Sequence, residues 1–454
     1  MYKIISLTIF VFASYFSFNS PALPEEIKPI SPITQTDRIL ILAPHPDDES
    51  IGTAGIIQEA VKVGAQCKIV CFTNGDHNQW AFIVDTKHIP LRQKEFIRLG
   101  EERRQESIAA MAYFGIRRTN LIFLGYPDFG TLKMFTDYWD TPKPFRGFLT
   151  RIDKVPYPEA LSPGTPYVSE SILKDLKTIL SKYQPTKIFV SHPADTNRDH
   201  RALYLYLRVA LWDLEKSIPR PELYPYLIHM PGWPYRIGPR PELILEPPTN
   251  LPEVIWQRFI LSPEQLIRKR AAISIYKTQF RSHLYPFARK NELFGDYPII
   301  KLHQQPLPVT DWQKLALVID TTQYEIENGL IQQKKISALA YAEHNGNVVI
   351  KINLQKILDE TLGISIYLFG YKSQTAFSKM PKIRIALDLL GIKVFNMSQR
   401  IQASNIQFSS DKQNIFVTVP ISILDNPKYI LTSAYSRTGD LPIDETAWRI
   451  LELN

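Results

Sequence analysis

The feature that most constrains this chain is a short apolar run that ends abruptly in a histidine and three carboxylates. It reads Arg38-Ile-Leu-Ile-Leu-Ala-Pro-His-Pro-Asp-Asp-Glu49. The arrangement returns as Lys187-Ile-Phe-Val-Ser-His-Pro-Ala-Asp-Thr-Asn-Arg-Asp-His200. Each is an apolar strand, a polar tip and then a helical pattern. Because residues just past the carboxyl ends of strands line the ligand crevice of an open α/β sheet, we expect the two tips to meet there.

Strand patterns alternate with helical patterns over the first 300 residues, which predicts an α/β fold with a Rossmann-like, mostly parallel sheet covered by helices. The predicted strands are residues 39–43, 67–72, 121–124, 188–190 and 226–230. The predicted helices are 51–63, 91–114, 169–182, 198–212 and 262 to about 281. The segment 131–168 is aromatic and rich in proline, and a loop of that length is typical of a substrate-binding lid.

Glycines mark both ends of these helices. Gly52 and Gly55 near the start of the first helix are expected to allow close approach to the site. Gly64 and Gly115 follow the last periodic residues of two helices and are read as C-caps.

From about residue 310 the pattern becomes β-rich, which predicts a separate C-terminal β-sandwich. The predicted domains are therefore 37–300 and 305–454. The second part carries no His/Asp pair at a strand tip, so it is expected to supply no chemistry, to bind polysaccharide or serve as a structural partner, and to be dispensable for zinc binding. Its last strand, 447–453, has charged residues on both faces, so we expect it to be covered on both sides.

Residues 1–23 resemble an export signal. Lys3 precedes an apolar run over residues 4–18, which is short for a membrane span. This pattern predicts a periplasmic or extracellular protein, with an uncleaved N-terminal anchor as the alternative. No later stretch is apolar enough to span a membrane. The cysteines, Cys67 and Cys71, are too far apart along one strand to bridge, so both are expected to be buried thiols.

The chain is ordinary for a globular protein in composition, with 44% hydrophobic and 22% charged residues. Its 454 residues favour two or more domains. The formal charge of +8 comes from scattered Lys and Arg rather than a dense basic run. This distribution argues against a nucleic-acid partner and is compatible with an anionic polymer.

The two polar tips contain the ligand types of a hydrolytic zinc site, which needs three protein ligands and an open position for water. His45, Asp48 and His200 supply that number. Asp47, beside a ligand, is suited to act as general base, because the metal lowers the pKa of water without removing its proton. Glu49, Asp195 and Asp199 are candidates to orient ligands. The alternative is that these carboxylates only cap helix N-termini, where negative charge is favoured.

These motifs resemble the signature of the PIG-L/LmbE-like zinc-dependent N-deacetylases. The resemblance is carried by Pro44-His-Pro-Asp-Asp-Glu49, Gly100-Glu-Glu-Arg-Arg-Gln-Glu-Ser107, Leu124-Gly-Tyr-Pro-Asp128 and Asp195-Thr-Asn-Arg-Asp-His200, and more weakly by Tyr226-Leu-Ile-His229 and Asn291-Glu-Leu-Phe294. It covers residues 37 to about 295. It implies a Rossmann-like fold and removal of acetyl groups from N-acetylglucosamine-type sugars or glycoconjugates.

The resemblance implies Zn²⁺ bound by His45, Asp48 and His200, with Asp47 as the base. Many members of the family have a histidine where this chain has Asn197. An amide can donate to an oxyanion but cannot shuttle a proton, so either Asp47 serves both steps or His192 or His229 assists. The resemblance also favours Arg103 and Asp128 as groups that hold sugar hydroxyls.

Each of these side chains also has a purely structural interpretation. Arg103 and Glu106 are spaced for an ion pair on a helix surface, and Asp128 follows a proline as turn residues do. Four aromatic residues are candidates for sugar stacking or for local packing: Tyr138, Trp139, Trp233 and Tyr235. Five histidines without a partner pattern are read as ordinary loop or surface residues: His77, His88, His283, His303 and His344.

Two further functions remain open from the sequence. The first is a catalytically weak or inactive glycan-binding protein that retains the deacetylase fold, suggested by Asn197 and the appended β-rich part. The second is an O-acetyl esterase, which uses the same zinc chemistry on a different bond.

Overall fold

The structure is a computed structural model. It describes residues 27–77, 92–235, 238–279, 281–305, 316–317, 336–355, 362–388, 391–411, 413–438 and 441–453. The predicted signal peptide, residues 1–23, and His88 lie outside the described residues. Within the described residues there is no helix whose length and apolar character would allow it to cross a membrane.

The first part of the chain builds a sheet of eight described strands in the order β1-β7-β8-β6-β5-β2-β3-β4. These strands are β1 (Lys28–Pro29), β2 (Arg38–Ala43), β3 (Gln66–Thr73), β4 (Leu121–Tyr126), β5 (Lys187–Ser191), β6 (Glu222–Tyr226), β7 (Ile255–Ile260) and β8 (Asn291–Asp296). From β6 to β4 all neighbours are parallel, whereas β8 runs antiparallel to both β6 and β7. The prediction of a mostly parallel sheet is confirmed.

Helices cover both faces of this sheet. They are α1 (Asp48–Val63), α2 (Gln93–Phe114), α3 (Thr131–Asp137), α4 (Ser169–Tyr183), α5 (Arg198–Asp213), α6 (Pro263–Ile273) and the short α7 (Arg281–Leu284). Gly64 and Gly115 end α1 and α2 in left-handed conformation, at φ 75° and 94°. Ser262 caps α6 through a capping box with Gln265. The four central strands are almost wholly buried, because helices pack on both sides of them.

The structure corrects the sequence predictions where the sheet turns antiparallel. The strand expected over 226–230 lies at Glu222–Tyr226, with Pro225 inside it. A proline is tolerated there because β6 meets β8 only through Tyr226, so the ladder on that side does not need the missing N–H. The sequence pattern predicts no strand at the positions of β7 and β8. The last predicted helix ends at Ile273 rather than near residue 281.

The segment 131–168, expected as a lid, does not line the main cavity, although the structure describes it throughout. It begins with α3 and continues as irregular chain that packs aromatic side chains against neighbouring elements. Trp139 is buried and lies edge-on to Phe377 of the C-terminal part, with 4.7 Å between ring centroids. The segment therefore does not line the cavity in this conformation, and the packing interpretation of Trp139 is confirmed.

Gly52 and Gly55 do permit a close approach, but of the sheet rather than of the site. A Cβ on Gly52 would lie 2.7 Å from the Tyr226 ring. A Cβ on Gly55 would lie 3.0 Å from a carboxylate oxygen of Glu292. The two glycines therefore allow α1 to pack closely on β6 and β8.

The C-terminal part is antiparallel except where β9 pairs with β21, and its two sheets enclose a common core, as expected for a β-sandwich. Its described strands are β9 (Ile300–Lys301), β10 (Ala316–Leu317), β11 (Ile336–His344), β12 (Asn347–Leu354), β13 (Leu362–Tyr371), β14 (Lys382–Asp388), β15 (Gly391–Asn396), β16 (Gln399–Ile401), β17 (Gln407–Asp411), β18 (Asn414–Pro420), β19 (Tyr429–Thr438), β20 (Leu441–Glu445) and β21 (Arg449–Glu452). One sheet runs β10-β11-β12-β18-β17, and the other runs β16-β15-β14-β13-β19-β21-β9, with β20 beside β19. We refer to residues 300–453 as the β-domain.

The last strand is covered on both faces, as its alternation predicted. Trp448 and Ile450 join a core cluster that also contains residues of α3 and α5, whereas Leu451 faces the interior of the sandwich. Arg449 is buried and pairs with Glu253 of the first domain at 2.8 Å. The β-domain is thus packed directly on the α/β domain.

Candidate metal centre

The two polar tips meet because β2 and β5 are direct neighbours in the sheet. The chain runs outward from β2 to β3 and β4, then returns to place β5 on the other side of β2. Such a reversal of strand order opens a crevice at the carboxyl ends of the strands. The turns that follow β2 and β5 flank this crevice and bring His45, Asp48 and His200 together.

Three donor atoms converge at the bottom of the crevice. One carboxylate oxygen, Oδ2 of Asp48, lies 3.2 Å from Nδ1 of His45 and 3.1 Å from Nε2 of His200. All three side chains are buried. Two ligands of a tetrahedral zinc ion, each bonded at about 2.0 Å, are about 3.3 Å apart. The three predicted ligands therefore fit the spacing of a zinc site.

The remaining nitrogen of each imidazole faces a carboxylate. Nε2 of His45 lies 3.2 Å from Asp128 and 3.4 Å from Asp199, and Nδ1 of His200 lies 3.0 Å from Asp195. Carboxylates in this position orient metal-ligating histidines and increase their basicity. This arrangement leaves Nδ1 of His45 and Nε2 of His200 as the atoms that would hold a metal.

The centre strongly attracts positive charge. Burial opposes the charged form of both imidazoles, but the carboxylates outweigh it. They raise the pKa of His45 well above its usual value and that of His200 to about 9. Burial likewise favours the neutral form of Asp128, yet His45 and Arg103 keep its pKa below the usual range. A buried group of carboxylates with this effect is suited to a divalent cation.

Asp47 has a strained backbone, with φ at 128° in a region that side chains rarely adopt. Glu49 holds this conformation by accepting a hydrogen bond from the Asp47 N–H at 2.9 Å. Glu49 is in turn fixed by the hydroxyls of Ser107 and Tyr276, at 2.5 and 2.8 Å. Glu49 therefore orients the candidate base, whereas the sequence suggested that it orients a ligand.

Arg103 lines the cavity, but both of its terminal nitrogens contact other groups of the protein. It donates to the carbonyls of Gly75 and Pro46 at 2.9 and 3.0 Å, and its Nη2 lies 3.3 Å from Oδ2 of Asp47. Burial raises the pKa of Asp47 to about 8, and the guanidinium opposes that rise. Glu106 does not pair with Arg103 on the surface; it accepts two hydrogen bonds from Thr278.

A cavity of about 710 Å³ opens above these groups. Its polar lining residues include His45, Asp47, Asp48, Arg103, Asp128 and Asn197. Its apolar lining residues include Ile228, Met230, Pro231, Trp233, Pro234, Leu284, Pro286 and Phe287. The volume lies in the range of small-molecule sites. Trp233 thus faces the cavity, as the stacking interpretation requires, while its Nε1 donates to the carbonyl of Glu246.

Asn197 is the N-cap of α5, and its Oδ1 accepts a hydrogen bond from the Asp199 N–H at 2.9 Å. Because that oxygen is used, the amide nitrogen is the atom left to donate into the cavity. His229 lines the cavity with its ring 4.7 Å from that of His200, whereas His192 is buried against Trp256 and does not. Of the two histidines considered from the sequence, His229 is therefore the one placed to assist.

Sequence reasoning missed several cavity residues. His77 and His283, read as ordinary loop residues, both line the cavity. The His77 backbone N–H also donates to Asp128 at 2.9 Å, so Asp128 contacts His45 and the chain itself rather than standing free. No local pattern marked these histidines, because the fold brings them together from distant parts of the chain, the turn after β3 and the short helix α7. The assigned roles of Arg103, Asp128 and Asn197 toward a substrate stay predictions.

Taken together, the fold and the site define an α/β protein with a candidate metal centre at its topological switch point. Residues 40–211 match the family model described as PIG-L: GlcNAc-PI de-N-acetylase. This match confirms the resemblance drawn from the motifs, and it includes all three candidate ligands.

The chain is similar to a 1D-myo-inositol 2-acetamido-2-deoxy-alpha-D-glucopyranoside deacetylase from a Nocardioides species, with 35% identity over 101 residues. That match covers 22% of this chain and only 31% of the relative.

Two solved structures show weaker likeness. The N,N'-diacetylchitobiose deacetylase from Pyrococcus horikoshii is 19% identical, with a TM-score of 0.34. The match covers 54% of this chain and 71% of the deacetylase chain. The 4-carboxy-2-hydroxymuconate hydratase from Pseudomonas putida is 16% identical, with a TM-score of 0.36. The match covers 56% of this chain and 83% of the hydratase chain. We infer nothing about function from either.

Proposed function

We propose that this protein is a zinc-dependent hydrolase that removes the N-acetyl group from an N-acetylglucosamine-type sugar or glycoconjugate. The observation that carries the proposal is the convergence of His45 Nδ1, Asp48 Oδ2 and His200 Nε2 beneath an open cavity. Asp47 stands beside this group and lines the same cavity. Three ligands, an open side and an adjacent carboxylate are the parts that metal-assisted amide hydrolysis requires.

A bound zinc ion would act as a Lewis acid that makes water nucleophilic near neutral pH. Asp47 would accept the proton of the attacking water and later deliver it to the departing amine. Arg103 and Glu49 hold Asp47 in position through its side chain and its backbone. The Asn197 amide would donate to the developing negative charge on the acetyl oxygen, since preorganised donors are most effective where charge develops.

The mixed polar and apolar lining of the cavity supports an amino-sugar substrate. The polar residues can hold the acetamido group near the candidate metal. The aromatic side chains of Trp233 and Phe287, which lie together, can pack against the face of a pyranose ring. The family model and the Nocardioides relative both name an N-acetylated glucosamine derivative, which is the reason for choosing this substrate class.

Metal content tests the site directly. We expect about one zinc per chain in the purified full-length protein and a large loss in His45→Ala and His200→Ala. The His303→Ala variant is the matched control, because His303 does not line the cavity. Equal metal content in all four proteins would contradict the proposed ligands.

Acetate release tests the reaction and separates it from the alternative of an inactive glycan-binding protein. The zinc-loaded chain is incubated with N-acetylglucosamine, N,N'-diacetylchitobiose, N-acetylglucosaminyl-inositol and, separately, an O-acetylated sugar. Release that stops after chelation and returns with zinc supports hydrolysis. Sugar binding without release from any of these would support the inactive alternative, and release only from O-acetylated sugars would indicate an esterase.

A further inference from the structure

A polar connection runs from the candidate metal centre into the β-domain. Its centre is Arg201, the residue immediately after the proposed ligand His200. Arg201 is almost completely buried, with 1% of its side chain exposed. Burying a guanidinium is costly unless partners compensate for the lost water. Nε and Nη1 of Arg201 have such partners, which lie in both domains, whereas its Nη2 is buried without a hydrogen bond.

On one side, Arg201 forms a hydrogen bond to the turn that follows β5. Its Nε donates to the backbone carbonyl of Asp195. The Asp195 carboxylate contacts Nδ1 of His200 at 3.0 Å and accepts hydrogen bonds from the N–H groups of Ile228 and His229 at 3.0 and 2.9 Å. Asp195 thus fixes the imidazole of a proposed ligand and one wall of the cavity together. Displacing its backbone would rotate that imidazole.

On the other side, Arg201 is held by the β-domain. Its Nη1 lies 3.1 Å from a carboxylate oxygen of Glu445 and donates to the carbonyl of Thr446 at 3.4 Å. A second contact reaches the same turn, because the Trp448 N–H donates to the carbonyl of Pro193 at 3.4 Å. The turn that carries Asp195 is therefore clamped between its own sheet and residues 445–448.

We propose that Arg201 is a positioning residue for the metal centre. Through its ion pair with Glu445, the β-domain helps to hold Arg201, and thereby Asp195 and His200, in place. The proposal rests on the proposed function, since it requires that His200 binds a metal. It assigns the β-domain a role in metal affinity, whereas the sequence suggested that zinc binding would not need residues 305–454. A carboxylate that contacts a metal-ligating histidine directly, as Asp195 does, typically changes metal affinity by about 10- to 100-fold when it is removed, so a residue that acts through Asp195 is expected at the low end of that range.

The experiment uses the full-length chain and Co²⁺, whose absorption spectrum reports ligand geometry. We compare the wild type with Glu445→Ala and with the conservative variant Glu445→Gln, which keeps an acceptor for Arg201. The matched control is Lys379→Ala. Lys379 pairs with Asp140 across the same two domains, but both side chains are exposed and neither touches the residues named above. Co²⁺ affinity is measured by chelator competition, and melting temperature is recorded for each protein.

We expect Glu445→Ala to bind Co²⁺ about 10-fold more weakly than the wild type, with an altered visible spectrum. Glu445→Gln should recover most of the affinity, and Lys379→Ala should match the wild type. Equal affinity and spectra in Glu445→Ala and the wild type would overturn the positioning role and leave the proposed function intact. If Lys379→Ala lost as much Co²⁺ affinity as Glu445→Ala, and both losses followed the fall in melting temperature, the positioning role would also be overturned. A wild-type protein that binds no metal would overturn both proposals.

Discussion

At the scale of single residues, the site is organised around the contrast between Asp47 and Asp48. The two carboxylates are adjacent in sequence but have different partners. Asp48 contacts both imidazoles, whereas Asp47 faces Arg103 and the cavity. Asp47 has a strained φ, and the hydrogen bond from its N–H to Glu49 stabilises that backbone conformation.

This division of roles predicts the behaviour of Asp47→Asn. The amide keeps the shape of the side chain but cannot accept a proton, so acetate release should fall by roughly 10²- to 10⁴-fold. Zinc content should stay at the wild-type level, because Asp47 is not one of the three converging donors. Acetate release and metal content are measured on the same preparation.

The exposed Asp153→Asn provides the matched control and should keep both properties. Parallel loss of zinc and activity in Asp47→Asn would make Asp47 a ligand and would show that its assignment as base is wrong.

At the scale of elements, α1 is fixed on the sheet by a buried ion pair. Nζ of Lys269 on α6 lies 2.8 Å from Glu292 on β8, and 1% of each side chain is exposed. Glu292 also accepts hydrogen bonds from the N–H groups of Gly55 and Ile56 in α1, at 2.8 and 3.3 Å. One carboxylate thus joins a strand and two helices, in the space that the missing side chain of Gly55 leaves.

Removing the cation from this pair should be costly. Lys269→Met leaves a buried carboxylate without its charge partner and should lower the free energy of unfolding by about 3–5 kcal/mol. Lys62, whose side chain is 72% exposed and pairs with Glu59, supplies the control, and Lys62→Met should cost less than about 1 kcal/mol. Both are measured by denaturant unfolding. The double variant Lys269→Met/Glu292→Gln should be less destabilised than Lys269→Met, and equal losses would contradict the charge argument.

At the scale of the whole molecule, the two domains share a hydrophobic core. Trp448 of the β-domain is 1% exposed and packs against Phe135 of α3, with ring centroids 6.1 Å apart. Trp212 of α5 stacks on Tyr429 of β19 at 4.8 Å. Because these aromatic side chains belong to one continuous cluster, we expect the described domains to unfold as a unit rather than one after the other.

Trp448→Ala tests this expectation. Truncating a buried tryptophan should lower the free energy of unfolding by about 3–5 kcal/mol, because a large cavity would form at the domain boundary. Phe148→Ala is the control, since half of the Phe148 side chain is exposed and its loss should change stability by about 0.5 kcal/mol or less. Circular dichroism during urea unfolding measures both. A wild-type protein that unfolds in two separate steps would contradict the shared core.

Much of the sheet and its metal-ligand set were predictable from the sequence because the signals are local. A fully buried parallel strand is a continuous apolar run, and β2 and β5 both show one. The candidate ligands sit directly after these runs. In contrast, β7 has exposed residues at both ends and intermediate burial between them, so it lacks the apolar signal by which β2 and β5 were found. Its pairing with β8 is visible only in three dimensions.

By itself the sequence determined the α/β alternation, the helix caps at Gly64 and Gly115, and the residues that meet at the two strand tips. The tertiary structure alone decided which nitrogen of each histidine faces a carboxylate, which histidines line the cavity, and that Arg201 meets Glu445 across the domain boundary. The physical reason is range. Strand, cap and turn preferences act over a few residues, whereas a buried charge is satisfied by whatever group the folded chain brings to it, here from 244 residues away.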